Sequence, residues 1–161
     1  MSEKELQEGV KAPNFALPAA PDGNLVSLDD FLGNKNVVLY FYPKDMTSGC
    51  TKEAQDFRNY YPKFKDIDTE VLGISKDSLK RHNKFIEKES IPFLLLSDED
   101  AKVCDLYGVW KEKSMYGRKY MGIERSTFVI DKNGIIRKIY RKVSVPGHVE
   151  DVYMFCKTIA K

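Results

Sequence analysis

Cysteine is scarce in this chain, with three among 161 residues, at positions 50, 104 and 156. An odd count this small does not make a disulfide framework, so a reducing, cytoplasmic setting is expected. No apolar run approaches the length that spans a bilayer, so no membrane association is expected. The opening stretch MSEKELQEGVKAP is acidic and polar and lacks the apolar segment of a secretory signal. Neither sign of charge dominates: Lys and Arg number 26, Asp and Glu 24, for a net charge of +2. That balance gives no reason to expect nucleic acid or an anionic surface as partner. No Cys/His cluster has metal-ligand spacing, and repeats and low-complexity segments are absent.

What is there reads as one globular domain over residues 1–161, long enough to bury a core without disulfides or a metal. KAPNFALPAAPDGNLVSLDDF suggests two short extended pieces around the turn Pro21-Asp22-Gly23-Asn24. Asn36 to Tyr42 is a continuous β-branched and aromatic run, as in a central strand buried on both faces. Ala54, Phe57, Tyr61 and Phe64 have helical spacing within 51–64. EVLGIS, 70–75, suits a second buried strand, and Asp77 suits the cap of a helix running to about Ser90. A third apolar run over 93–96 precedes a helix expected from about Glu99 to Leu106. Asp131-Lys132-Asn133-Gly134 between two apolar runs predicts a hairpin. Val149, Val152, Cys156 and Ile159 line one face of a last helix. The order predicts an α/β fold, a mixed sheet with helices on both faces, compatible with a thioredoxin-like architecture.

Cys50 lies where a buried strand ends and a helical pattern begins, inside the polar loop TSG. Free N–H groups and the positive end of a helix favour a thiolate there. Magnitudes show that this is insufficient. A thiol with pKa about 8.5 is about 3% ionised at pH 7, and bringing it to about 6 takes roughly 3.4 kcal/mol. A helix end supplies about 0.3–1 kcal/mol, occasionally about 2. A reactive Cys50 therefore needs a fixed cation. Neither histidine is an obvious partner in the sequence, so an arginine is expected, which keeps its charge. An inert, partly buried cysteine is the alternative that local sequence leaves open.

Pro43-x-x-x-Thr47-x-x-Cys50, extended by TSGCTKE, resembles the active-site signature of the peroxiredoxins. GVKAPNFALPAAPDGNLVSLDDF, VLGISKDSLKRHNKFIEK, PFLLLSDEDAKVCDLYGVW, YMGIERSTFVIDKNGIIRKIYRKV and GHVEDV resemble its bacterioferritin-comigratory-protein (PrxQ) branch, over nearly the whole chain. The resemblance implies a thioredoxin-like fold with an N-terminal hairpin extension, and a thiol-dependent peroxidase of hydrogen peroxide and organic hydroperoxides. Cys50 matches the peroxidatic nucleophile, oxidised to a sulfenic acid. Thr47 matches the hydroxyl that binds peroxide and thiolate, and Pro43 the proline that shields the pocket from water. Arg125 matches the arginine that stabilises thiolate and transition state, and Glu53 the residue that orients it. Backbone N–H groups at Gly49 and Cys50 suit the growing negative charge on oxygen. No metal, haem or flavin cofactor is implied. Taken singly, Thr47 equally suits an N-cap, Pro43 a strand end, Glu53 a solvated first-turn acid and Arg125 a surface cation.

The pattern breaks at the second thiol. Members of the branch carry a resolving cysteine five residues after the first, where this chain has Gln55, or on the next helix near Lys84 to Lys88, where NKFIEK has none. Cys104 and Cys156 both sit in apolar, helically spaced surroundings that suit core packing. A one-cysteine route is therefore expected, with the sulfenic acid reduced by an external small thiol or a thioredoxin-like protein. A two-cysteine route through Cys104 or Cys156 is the alternative. A dithiol oxidoreductase needs C-x-x-C, and the chain has Cys50-Thr-Lys-Glu53. A non-enzymatic peroxide sensor would use the same residues. A monomer is expected, and Tyr42 and Trp110 are candidates for an apolar pocket edge or the core.

Overall fold

The computed structural model describes residues 6–160. Its main sheet has seven strands in the order β2-β1-β5-β4-β3-β8-β9. They are β1 (Ala16–Ala20), β2 (Leu25–Ser27), β3 (Asn36–Phe41), β4 (Thr69–Ser75), β5 (Leu94–Ser97), β8 (Ser126–Ile130) and β9 (Ile136–Tyr140). A separate two-stranded ribbon joins β6 (Trp110–Met115) to β7 (Arg118–Ile123). The helices are α1 (Ser48–Asp66), α2 (Leu79–Glu89), α3 (Lys102–Leu106) and α4 (His148–Ile159).

β3 is central because it can be. All six of its residues are buried, which only a strand covered on both faces tolerates. It runs parallel to β4 and antiparallel to β8, so the sheet is mixed. The pleat sends alternate side chains into two cores. Leu39 and Phe41 join Phe15, Cys104, Tyr107 and Phe128 on one face. Val38, Tyr40 and Tyr42 join Cys50, Phe57, Phe85, Val152 and Cys156 on the other. The faces of α1, α2 and α4 therefore cover one side, while α3 and the residues Phe15 and Leu28 pack on the other. Tyr40 stacks on Phe57 of α1 with ring centroids 4.5 Å apart, seating α1 directly on β3.

Gly73 of β4 makes this close packing possible. A Cβ there would come within 2.8 Å of Leu95 Cδ2 and 3.0 Å of the Tyr40 ring. The 131–134 turn joins β8 to β9 as the sequence predicts, and the 21–24 turn joins β1 to β2.

Three expectations need correction. Ser78, not Asp77, caps α2: its hydroxyl accepts from Arg81 N, while Asp77 turns inward. The third helix begins at Lys102 rather than Glu99, because the Asp98 carboxylate takes the N–H groups of Val103 and Cys104 and Ala101 adopts a left-handed φ of 59°. The β6–β7 ribbon was not expected. Its sequence, WKEKSM and RKYMGI, lacks apolar alternation because most of it faces solvent.

Candidate active site

Strand β3 ends at Phe41, and residues 42–47 form the loop into α1. Cys50 lies in the first turn of α1, where the N–H groups of Gly49 and Cys50 have no preceding helical carbonyl. The first helical bond at this end runs from Thr51 N to Thr47 O, at 2.8 Å. Thr47 occupies the N-cap position, yet its side chain does not cap the helix. Its hydroxyl donates instead to Lys44 O at 2.8 Å, folding the loop over the start of α1.

Arg125 sits just before β8, the neighbour of β3, and this adjacency brings it to Cys50. Its Nη2 donates to Cys50 Sγ at 3.4 Å and its Nη1 to Glu53 Oε1 at 2.6 Å. The expected cation is thus an arginine, and neither histidine has a hydrogen bond to Cys50 among the described residues. Gly49 leaves room for this approach, since a Cβ would lie 3.2 Å from Arg125 Nη2 and press on the guanidinium. Burial disfavours the charge on Arg125, but Glu53 and Cys50 outweigh it and hold the guanidinium charged.

Glu53 is not the solvated acid that its first-turn position suggests. It is fully buried, and Oε2 has no hydrogen-bond partner among the described residues. Burial raises its carboxyl to about 7, against the pull of Arg125. Cys50 itself is 2% exposed, so its sulfur is not presented on an open surface.

Pro43 lines a cavity of about 270 Å³ together with Trp110, Lys113, Tyr120, Met121 and Ile123. Trp110 therefore stands at a pocket edge, whereas Tyr42 is core, 1% exposed, and donates to Asp45. Lys113 donates to Ile123 O at 2.5 Å, and burial together with Arg125 lowers its pKa. A larger cavity, about 640 Å³, lies between β1 and α3 and is lined by none of the candidate residues.

The other two cysteines are buried without contact to solvent. Cys104 packs on the opposite face of the sheet from Cys50. Burial first, then Asp98, pushes its thiol far above the ordinary range. Cys156 shares the Cys50 face, on α4, and burial pushes its thiol up to about 12. At Gln55, Nε2 donates to Glu89 Oε1 of α2 at 2.9 Å, and Arg58 Nη1 donates to Glu89 O at 2.7 Å.

One cluster escaped the sequence reading. Asp45, Asp77 and His82 present ligand-type atoms within 4.8 Å of one another. Those atoms already bond protein partners, so the cluster is a hydrogen-bonded knot rather than an open metal cage. Its members are separated by 32 and 37 positions from Asp45, and no local signal links them.

The sequence matches the AhpC/TSA family over residues 9–139. The chain belongs to that family. Within it, the Bcp peroxiredoxins are close relatives. The putative peroxiredoxin Bcp of Coxiella burnetii is 52% identical over 91% of this chain and 96% of its own length. Peroxiredoxin Bcp of Bacillus subtilis is 47% identical, covering 97% and 98%. Among solved structures, Xanthomonas campestris peroxiredoxin Q superposes with a TM-score of 0.86 at 40% identity, covering 91% and 92%. A Xylella fastidiosa PrxQ mutant gives a TM-score of 0.92 at 39% identity over 99% and 100%. The peroxiredoxin fold is therefore the thioredoxin-like one expected, and among the described residues no helix is long and apolar enough to cross a membrane.

Proposed function

We propose that this peroxiredoxin reduces hydrogen peroxide and organic hydroperoxides at Cys50 by a one-cysteine cycle. The observation that carries the reading is the chain Glu53–Arg125–Cys50, in which a buried carboxylate aims a guanidinium at the thiol sulfur. The Cys50 thiolate attacks one peroxide oxygen, the O–O bond breaks, and the leaving alkoxide or hydroxide takes a proton. The product is Cys50 sulfenic acid and an alcohol or water. Two equivalents of an external thiol then return the thiol, releasing water and a disulfide.

Each neighbour has a role in that step. Arg125 stabilises the thiolate and then the charge growing on the leaving oxygen. The N–H groups of Gly49 and Cys50 supply further donors, and Thr47 is placed beside them by its bond to Lys44 O. Pro43 takes the role its match to the family's proline implies, shielding the thiol from water. Glu53 acts through Arg125 and is a positioning residue. A structure of the Xanthomonas campestris bacterioferritin comigratory protein, 39% identical, is described in terms of alkyl peroxide reduction.

Resolution by a second thiol of the same chain is disfavoured on two grounds. The sheet separates Cys104 from Cys50, and both remaining thiols are held protonated by burial. The reductant is a small thiol or a thioredoxin-like protein, the setting is cytoplasmic, and the protein acts as a monomer without nucleic acid or membrane.

Intact-mass analysis after one equivalent of hydrogen peroxide tests this, with a sulfenic-acid trap present. The expected result is one adduct at Cys50, and steady thiol-dependent turnover by the Cys104→Ser, Cys156→Ser double variant. A loss of two hydrogens with no adduct, or a folded double variant that cannot turn over, would overturn the one-cysteine cycle.

A further inference from the structure

Asp45 is the most heavily tethered residue of the loop that carries Pro43 and Thr47. Its side chain is fully buried and bonds His82 Nδ1 through Oδ2 at 2.6 Å, while Oδ1 accepts from Tyr42 OH at 2.5 Å. Its backbone N–H donates to Asp77 Oδ2 at 2.8 Å, and its carbonyl accepts from Arg81 Nη2 at 3.1 Å. Arg81 and His82 belong to the first turn of α2, and Asp77 precedes it. Arg81 Nε also donates to Asp77 Oδ1 at 2.9 Å, and Ser75 Oγ donates to Asp77 Oδ2 at 2.6 Å, so the two sides of the tether brace each other.

His82 is itself locked. It is 0% exposed, and its second ring nitrogen, Nε2, lies 3.0 Å from Leu96 O of β5. A carbonyl only accepts, so Nε2 carries a hydrogen, and the 2.6 Å contact on the other side is a short hydrogen bond between Nδ1 and the carboxyl group. The residue after Asp45, Met46, has a φ of 65°, a strained value for methionine that persists only where its surroundings hold it. From Met46 the chain enters Thr47 and α1.

We propose that Arg81 and His82 are positioning residues for the peroxidatic reaction, acting through Asp45 to hold the Pro43–Thr47 loop against the start of α1. The inference rests on the assignment of Cys50 as the peroxidatic thiol. None of the three touches the cysteine. What they fix is the place from which Thr47 and Pro43 meet the peroxide, and misplacement of about 1 Å at a reacting centre costs on the order of 100-fold in rate.

The experiment is the second-order rate of Cys50 oxidation by hydrogen peroxide, by rapid quench and mass analysis, with Cys50 thiolate titrated by ultraviolet absorbance. Arg81→Ala is the first variant. Its side chain is 41% exposed, and the substitution releases only the Asp45 carbonyl and Asp77. His82→Gln is the second, which removes the central bond, and Asp45→Asn combined with His82→Gln restores a neutral one. The expected rates are roughly 3–10-fold lower for Arg81→Ala and roughly 10–100-fold lower for His82→Gln. The double variant recovers part of the loss. Should His82→Gln fail to fold, Arg81→Ala alone decides. Wild-type rates with a lowered unfolding midpoint would mean a purely structural knot and overturn the proposal. A wild-type Cys50 that does not react would overturn the peroxidatic assignment, and this proposal with it.

Discussion

Glu53 and His148 are both buried in the field of Arg125, and burial moves them in opposite directions. His148 accepts or donates at Thr127 Oγ1, 2.8 Å away, and burial lowers its pKa to about 4, with Asp151 opposing and Arg125 assisting. The unfolded chain takes up that proton near 6.5, so His148 makes the fold less stable as pH falls from about 6.5 to about 4. Glu53 is raised to about 7. The folded state then binds its proton more tightly than the unfolded chain, and stability falls as pH rises from about 4.5 to about 7. The two slopes oppose each other across the same range. Replacing His148 by Asn should remove one of them, raising stability at about pH 5 relative to about pH 7 by about 2 kcal/mol. Urea unfolding at both pH values, with and without the substitution, measures it. An unchanged difference would mean that His148 is protonated in the fold.

At the scale of the element, α1 decides whether a second thiol could serve Cys50. Residues five apart on a helix have Cα atoms about 9 Å apart, beyond the reach of about 7 Å for a disulfide. Gln55→Cys, which itself removes the Gln55–Glu89 contact, should therefore form a bond to Cys50 only by unwinding the first turns of α1. Peroxide treatment of this variant should remove two hydrogens and reduce the helical circular-dichroism signal together. A disulfide with no loss of helix would show that α1 is already open in solution.

The same helix illustrates what the sequence could disclose. Its apolar spacing, the buried run of β3 and the turn at 131–134 were all legible, because each follows from a local period or a local turn residue. The Pro43, Thr47 and Cys50 positions were legible as a pattern. The burial of Glu53 was not, since a first-turn acid reads as solvated until Arg125 arrives from β8. Nor was the Asp45–His82 bond, made between residues that only the parallel pairing of β3 with β4 brings close. The β6–β7 ribbon stayed hidden because its exposed Met115, Tyr116 and Tyr120 follow no buried stripe.

For the molecule as a whole, the edges of the sheet argue for a single chain. β2 is only three residues long, and β9 carries Arg137 and Lys138, so neither edge offers a long apolar ladder to a second copy. Light scattering should give the mass of one chain, 18.5 kDa. A value near twice that would point to the ribbon, where Met115, Tyr116 and Met121 are exposed. On the proposed one-cysteine cycle the reductant comes from outside and meets the Glu53–Arg125–Cys50 arrangement. Whatever the state of Glu53, oxidation of the thiolate to a neutral sulfenic acid removes one negative charge from beside Arg125. A thiolate that approaches the oxidised site therefore meets one negative charge fewer than one that approaches the reduced site. On that cycle, turn-taking between oxidant and reductant follows from the loss of one charge in the pocket, with no moving part.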